Sequence, residues 1–99
     1  YNERPREKAI KYGINTISNS ELIAIFLRNG TKGKSVIDIS YEVLQKFNGL
    51  NGLINANITE LCSIKGVNKV KAIQLLAAIE LSKRLNDSIE VGNKILNAL

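Results

Sequence analysis

Leu61-Cys62-Ser63-Ile64-Lys65-Gly66-Val67-Asn68-Lys69-Val70-Lys71-Ala72 is the stretch on which the fold of this 99-residue chain turns. A short apolar run meets Gly66, and a long run with helical period begins at Lys69. Gly66 permits a positive φ or a close backbone approach that other residues resist. Val67 can then plug the space between the two helices. Asn68, the non-glycine residue most tolerant of left-handed backbone, stands where a second glycine would suit the turn. Backbone N–H groups at the start of the following helix have no intrahelical acceptor and attract phosphate. Lys65, Lys69 and Lys71 surround them with positive charge.

This is the helix-hairpin-helix pattern, and a weaker copy precedes it. At a shift of 36 residues, Leu22 matches Ile58, Ile25 matches Leu61 and Gly30 matches Gly66. Past the glycines, Val36, Ile37, Ile39 and Val43 match Ala72, Ile73, Leu75 and Ile79. Each copy reads as short helix, basic glycine turn, longer helix, and two such pairs can bury apolar faces that neither could bury alone. The first turn, Arg28-Asn29-Gly30-Thr31-Lys32-Gly33-Lys34-Ser35, is not a nucleotide-binding P-loop. Gly30 and Gly33 are only three apart and no strand leads into them. A second backbone-gripping hairpin, built from amides of Gly30 to Ser35 with Lys32 and Lys34, fits better.

Working outward, Pro5 opens a helix that Gly13 ends near Tyr12. Ser18-Asn19-Ser20-Glu21 is a capping box, followed by Leu22, Ile23, Ile25, Phe26 and Leu27, which predict a largely buried helix ending at Asn29-Gly30. A third helix is expected from about Lys34 to Phe47, a turn or two of helix around Leu50 to Ile54, and a short helix capped by Asn57. The longest runs from about Lys69 to Leu85, apolar over most of its circumference, with Val70, Ile73, Leu76 and Ala77 on one face. Tyr12 and Tyr41 are expected at the core edge, and Cys62 as a small buried hydrophobe. No strand is predicted, because the isoleucines fall at helical period. The fold class is all-α, a compact bundle of five to six helices. A single domain is expected over residues 1–86, with 87–99 a tail or linker.

Composition narrows function. The chain has no histidine and one cysteine, which removes the commonest general base and metal ligand and any internal disulfide. No catalytic residues, metal site, cofactor or small-molecule substrate are expected. No apolar run reaches the roughly 18 residues that span a bilayer, nor does a signal peptide open the chain, so membrane contact is not expected and a cytoplasmic location is. No methionine occurs, which reads as a piece of a longer protein. No acid lies between Glu21 and Asp38 or between Glu60 and Glu80, and these windows hold six of the 14 basic residues. Outside them eight bases face nine acids, so the whole net charge of +5 sits at the two turns. Acid-free basic windows point to an anionic partner.

Taken in order, Arg4-Pro5-Arg6-Glu7-Lys8, Leu22-Ile23-Ala24-Ile25, Arg28 to Val36 and Glu60 to Gly66 resemble the N-terminal domain of the bacterial RadC (UPF0758) family, over about Glu3 to Leu85. The resemblance implies a tandem helix-hairpin-helix (SAM/glycosylase-like) architecture and a DNA-repair association. It also implies a following JAB/MPN metalloprotease-like domain that this histidine-free chain lacks. The sequence therefore leads to non-sequence-specific DNA binding, through Lys65, Gly66, Val67, Asn68, Lys69 and Lys71 and through Gly30, Thr31, Lys32, Gly33, Lys34 and Ser35. Four to six neutralised phosphates would give a log–log salt slope of about −4 to −5. The alternative is a protein-interaction or scaffold module, with the missing C-terminal domain among its partners.

Overall fold

A computed structural model describes residues 4–98, and side chains as far as Ile89. Six α-helices follow one another: α1 (Pro5–Tyr12), α2 (Asn19–Leu27), α3 (Val36–Lys46), α4 (Leu50–Leu53), α5 (Ile58–Cys62) and α6 (Lys69–Ala98). A 3-10 turn, Ile14–Thr16, links α1 to α2. The described residues contain no strand, only an isolated bridge between Thr31 and Lys34. None of their helices is long and apolar enough to cross a membrane.

Local chemistry sets the helix starts. Ser18 and Glu21 form the expected capping box: the Glu21 amide donates to Ser18 Oγ (3.2 Å) and the Ser18 amide to Glu21 Oε1 (3.3 Å). Ser35 Oγ accepts from the Asp38 amide (3.1 Å), so α3 starts at Val36 rather than Lys34. Asn57 Oδ1 caps α5 through the Glu60 amide (2.9 Å).

Both copies of the repeat form helix pairs, α2 with α3 and α5 with α6, and α2 lies against α6. Their apolar faces merge into one core of Ile23, Leu27, Ile39, Val43, Phe47, Leu53, Leu61, Ile64, Val67, Ala72 and Leu75. Ile39, Val43, Leu61 and Ala72 are completely buried. At about 1.5–3 kcal/mol for each large side chain withdrawn from water, this cluster is the main stabilising term. Ser40, fully buried among these residues, donates its hydroxyl to the Val36 carbonyl (2.8 Å), which removes the cost of burying it.

Several expectations from periodicity are corrected. In α2, Ile23, Ala24 and Leu27 are buried but Phe26 is 42% exposed, because only one side of the helix meets α3 and α6. Tyr12 and Tyr41 stand more than half exposed instead of packing at the core edge. Cys62 is only half-buried, packed on the outside of the core. In α6 the face turned inward is Ala72, Leu75, Leu76 and Ile79, while Val70, Ile73 and Ala77 point away from it. A helix apolar on several sides fits more than one orientation, and the position of α5 chooses among them.

α6 also runs well past Leu85. Asn86, Asp87 and Ser88 include no glycine or proline to stop it, Ser88 Oγ donates back to the Arg84 carbonyl (3.0 Å), and Arg84 pairs with Glu80 (3.0 Å). A single Gly92 costs about 1 kcal/mol, too little by itself to end a helix. Thirty residues make about 45 Å of helix, most of the molecule's 57 Å length. From Glu80 to Ile89 every residue is exposed, so this stretch of α6 projects from the globule.

Candidate nucleic-acid interface

The second turn is built around Gly66, whose φ of +99° is unfavourable for any residue with a Cβ. A Cβ there would also lie 2.4 Å from Ile39 Cδ1 and 3.2 Å from Thr31 Cγ2. Gly66 therefore lets the second turn press against both α3 and the first turn. Val67 is buried as the expected plug, and its amide donates to the Ile64 carbonyl (3.1 Å).

Asn68 behaves differently from the sequence expectation. It does not take a positive φ. Its side chain caps α6, with Oδ1 accepting from the Lys71 amide (2.9 Å), while its carbonyl accepts from Ala72 (2.9 Å). An N-cap needs a short side-chain acceptor on extended backbone, and asparagine supplies one where glycine cannot. The cap consumes the Lys71 amide. Those of Asn68, Lys69 and Val70, three exposed residues in succession, have no acceptor among the described residues.

The first turn has a different geometry. Thr31 and Lys34 exchange backbone hydrogen bonds (2.9 and 3.0 Å) around Lys32-Gly33. Gly33 has φ +81° at the position where a type II turn demands it. The Thr31 and Lys34 amides are thus spent internally and leave the candidate anion-binding set, whereas the Ser35 oxygen accepts in its cap and keeps its O–H as a donor. Lys34 is half-buried and paired with Glu42 from α3. The acid-free window hid this partner, which lies eight residues on and one helical turn beyond Asp38.

Lys71 needs the largest revision. Its Nζ donates to the Asn29 carbonyl (2.7 Å) and the Gly66 carbonyl (3.3 Å). The ammonium is not mobile surface charge but a clasp joining turns 42 residues apart in sequence. With it, Gly30 and Thr31 join Lys65, Gly66, Val67 and Asn68 around one shallow depression of about 430 Å³. Lys32, Lys65 and Lys69 remain as exposed ammonium groups without an acidic partner among the described residues.

Sequence reasoning missed a second depression, of about 460 Å³, between the start of α1 and the end of α2. Arg4, Arg6 and Arg28 line it, and Gly30 lines both depressions. Each arginine was visible in the sequence, and Arg28 stood in the first basic window, but Arg4 and Arg6 lie 22 or more residues before it and nothing local joined them to it.

The model of the UPF0758 N-terminal family matches residues 1–73. The chain belongs to the UPF0758 family. A UPF0758 protein of Bacillus pumilus is 54% identical over 86 residues, covering 87% of this chain and 38% of the relative. The UPF0758 protein YsxA of Bacillus subtilis is 50% identical over 84 residues, 85% of this chain and 36% of that protein. One from Clostridium botulinum is 51% identical over 82 residues, 83% and 36% of the two lengths. This UPF0758 domain thus spans little more than a third of the curated relatives it matches. No solved structure matches it.

Proposed function

We propose that this UPF0758 domain binds double-stranded DNA through the phosphate backbone without reading sequence. The observation that carries the reading is the meeting of the two turns. Lys71 clasps them together beside three successive amides, of Asn68, Lys69 and Val70, that have no acceptor among the described residues. Amides at a helix start, with unpaired lysines around them, bind phosphate through hydrogen bonds and charge. Backbone contacts position a duplex but carry no base information, and no side chain here is placed as a base reader.

Fewer mobile ammonium groups are available than the sequence suggests, since Lys34 is paired with Glu42 and Lys71 is fixed between two carbonyls. Lys32, Lys65 and Lys69 neutralising three phosphates give a log–log salt slope of about −3 at roughly 0.9 per phosphate. The test is a salt titration of duplex binding for the wild type and for the triple variant Lys32→Ala, Lys65→Ala, Lys69→Ala. Affinity should fall and the slope should flatten toward zero. No binding of wild type at low salt, or an unchanged slope in the variant, refutes the reading.

One observation favours a scaffold role instead. Ile73, Leu81, Leu85 and Ile89 lie at four-residue multiples along α6, each more than half exposed. Substituting Leu81 and Leu85 by Glu should leave DNA binding intact on the first reading; loss of a protein contact with no effect on DNA would support the second.

A further inference from the structure

The depression between α1 and α2 borders the first turn, whose Arg28, Asn29 and Gly30 line it. Arg4, Arg6 and Arg28 line it, and their guanidinium groups make no ion pair or hydrogen bond with any described residue. One acid, Glu7, shares the rim, which leaves an excess of two positive charges. The lining also includes apolar side chains, the buried Ala24 and the half-buried Ile25 and Val36. Its volume of about 460 Å³ falls within the roughly 300–1,000 Å³ of small-molecule sites.

Arg28 is held there at a cost. With φ +70° and ψ −57° it is the centre of a γ-turn of the rarer, positive-φ kind, closed by the Asn29 amide donating to the Leu27 carbonyl (2.8 Å). Glycine would adopt this conformation more easily, yet the position carries an arginine. Strained non-glycine residues concentrate where a side chain is used.

We propose that this depression binds the phosphomonoester of a nucleotide. A terminal phosphate carries about −1.5 to −2 charges, which matches the excess of two, whereas a backbone diester carries one. Guanidinium groups grip phosphate oxygens in pairs, and the apolar side chains of Ala24, Ile25 and Val36 can pack against a base or sugar face. A continuous duplex would bridge the rims, while a strand end can enter. Gly30 lines both this depression and the one between the turns, so a strand held by the hairpins can place its terminal phosphate among the arginines. The strand end as source rests on the DNA reading above; the phosphate site itself does not.

The experiment compares a short duplex with 5′-phosphate ends against the same duplex with 5′-hydroxyl ends. Adenosine monophosphate and adenosine are titrated separately by NMR. The phosphorylated duplex should bind about tenfold tighter, a preference of the size a charge-assisted pair supplies. Arg6→Gln with Arg28→Gln should abolish the preference, while Lys65→Ala with Lys69→Ala should weaken both duplexes and keep it. Arg28→Lys retains the charge without the planar fork and should lose most of it. Adenosine monophosphate, and not adenosine, should shift the Gly30 and Val36 amide resonances. Equal binding of the two duplexes with no shift from the nucleotide overturns the inference and leaves backbone binding standing. A shift from the nucleotide with no binding of either duplex does the reverse: the site stands, with a free nucleotide as its ligand, and the DNA reading falls.

Discussion

Replacing Gly66 by alanine tests whether this turn is what locks the two helix pairs together. Two costs add. Holding a Cβ-bearing residue at φ +99° costs about 1–2 kcal/mol. The new methyl also falls 2.4 Å from Ile39 Cδ1, at the tip of a completely buried side chain that must shift to make room. Overpacking of this kind costs about 1–3 kcal/mol, so the total is about 2–5 kcal/mol. For a domain of this size each kcal/mol moves Tm by about 4–8 °C, and a drop of at least about 8 °C is expected in thermal melts followed by circular dichroism. Ile39→Val separates the two costs, because valine lacks the clashing Cδ1. By itself it should cost about 0.5–1.5 kcal/mol. Combined with Gly66→Ala it should recover about 1–2 kcal/mol relative to additivity, while the backbone cost remains. A Gly66→Ala protein that melts within about 3 °C of wild type, or a cycle additive to within roughly 0.5 kcal/mol, would refute this account.

Arg28→Gly should stabilise the domain by about 1 kcal/mol, because relief of the γ-turn strain outweighs the added freedom of glycine in the unfolded chain; a lower urea midpoint than wild type would count against it. The same substitution should weaken phosphate binding, coupling a gain in stability to a loss of function. Acid stability offers a separate check. Hydrogen bonds from Lys8 first (2.9 Å), and then from Ser18, hold the Glu21 carboxyl below its ordinary range. The stability this confers is complete above the ordinary glutamate value and is lost as pH falls through the lowered folded-state value. Lys8→Met should therefore reduce stability at neutral pH and flatten the acid limb of a series of urea midpoints; parallel wild-type and variant curves would refute the assignment.

Most of the secondary structure was legible because its causes are local. Ser18 with Glu21 and Asn57 with Glu60 cap helices through atoms three residues apart. Pro5 and Gly13 bracket α1 for equally short-range reasons. The internal repeat was legible too, because Ile39 and Leu75 occupy matching buried positions. The candidate site was legible only in part. The lysine windows marked the two turns that meet in the fold but not the internal partners of Lys34 and Lys71. Whether Lys34 meets Glu42, or Lys71 the carbonyl of Asn29, depends on where helices place groups in space.

The sequence by itself thus determined an all-helical chain, the order of its helices and the two glycine turns, since propensity, capping and periodicity act within a few residues. Only the tertiary structure decided that Lys71 is a clasp, which face of α6 is buried, and that Arg4, Arg6 and Arg28 share one depression. Those outcomes rest on contacts between residues distant along the chain, whose energies exist only once the helices have packed.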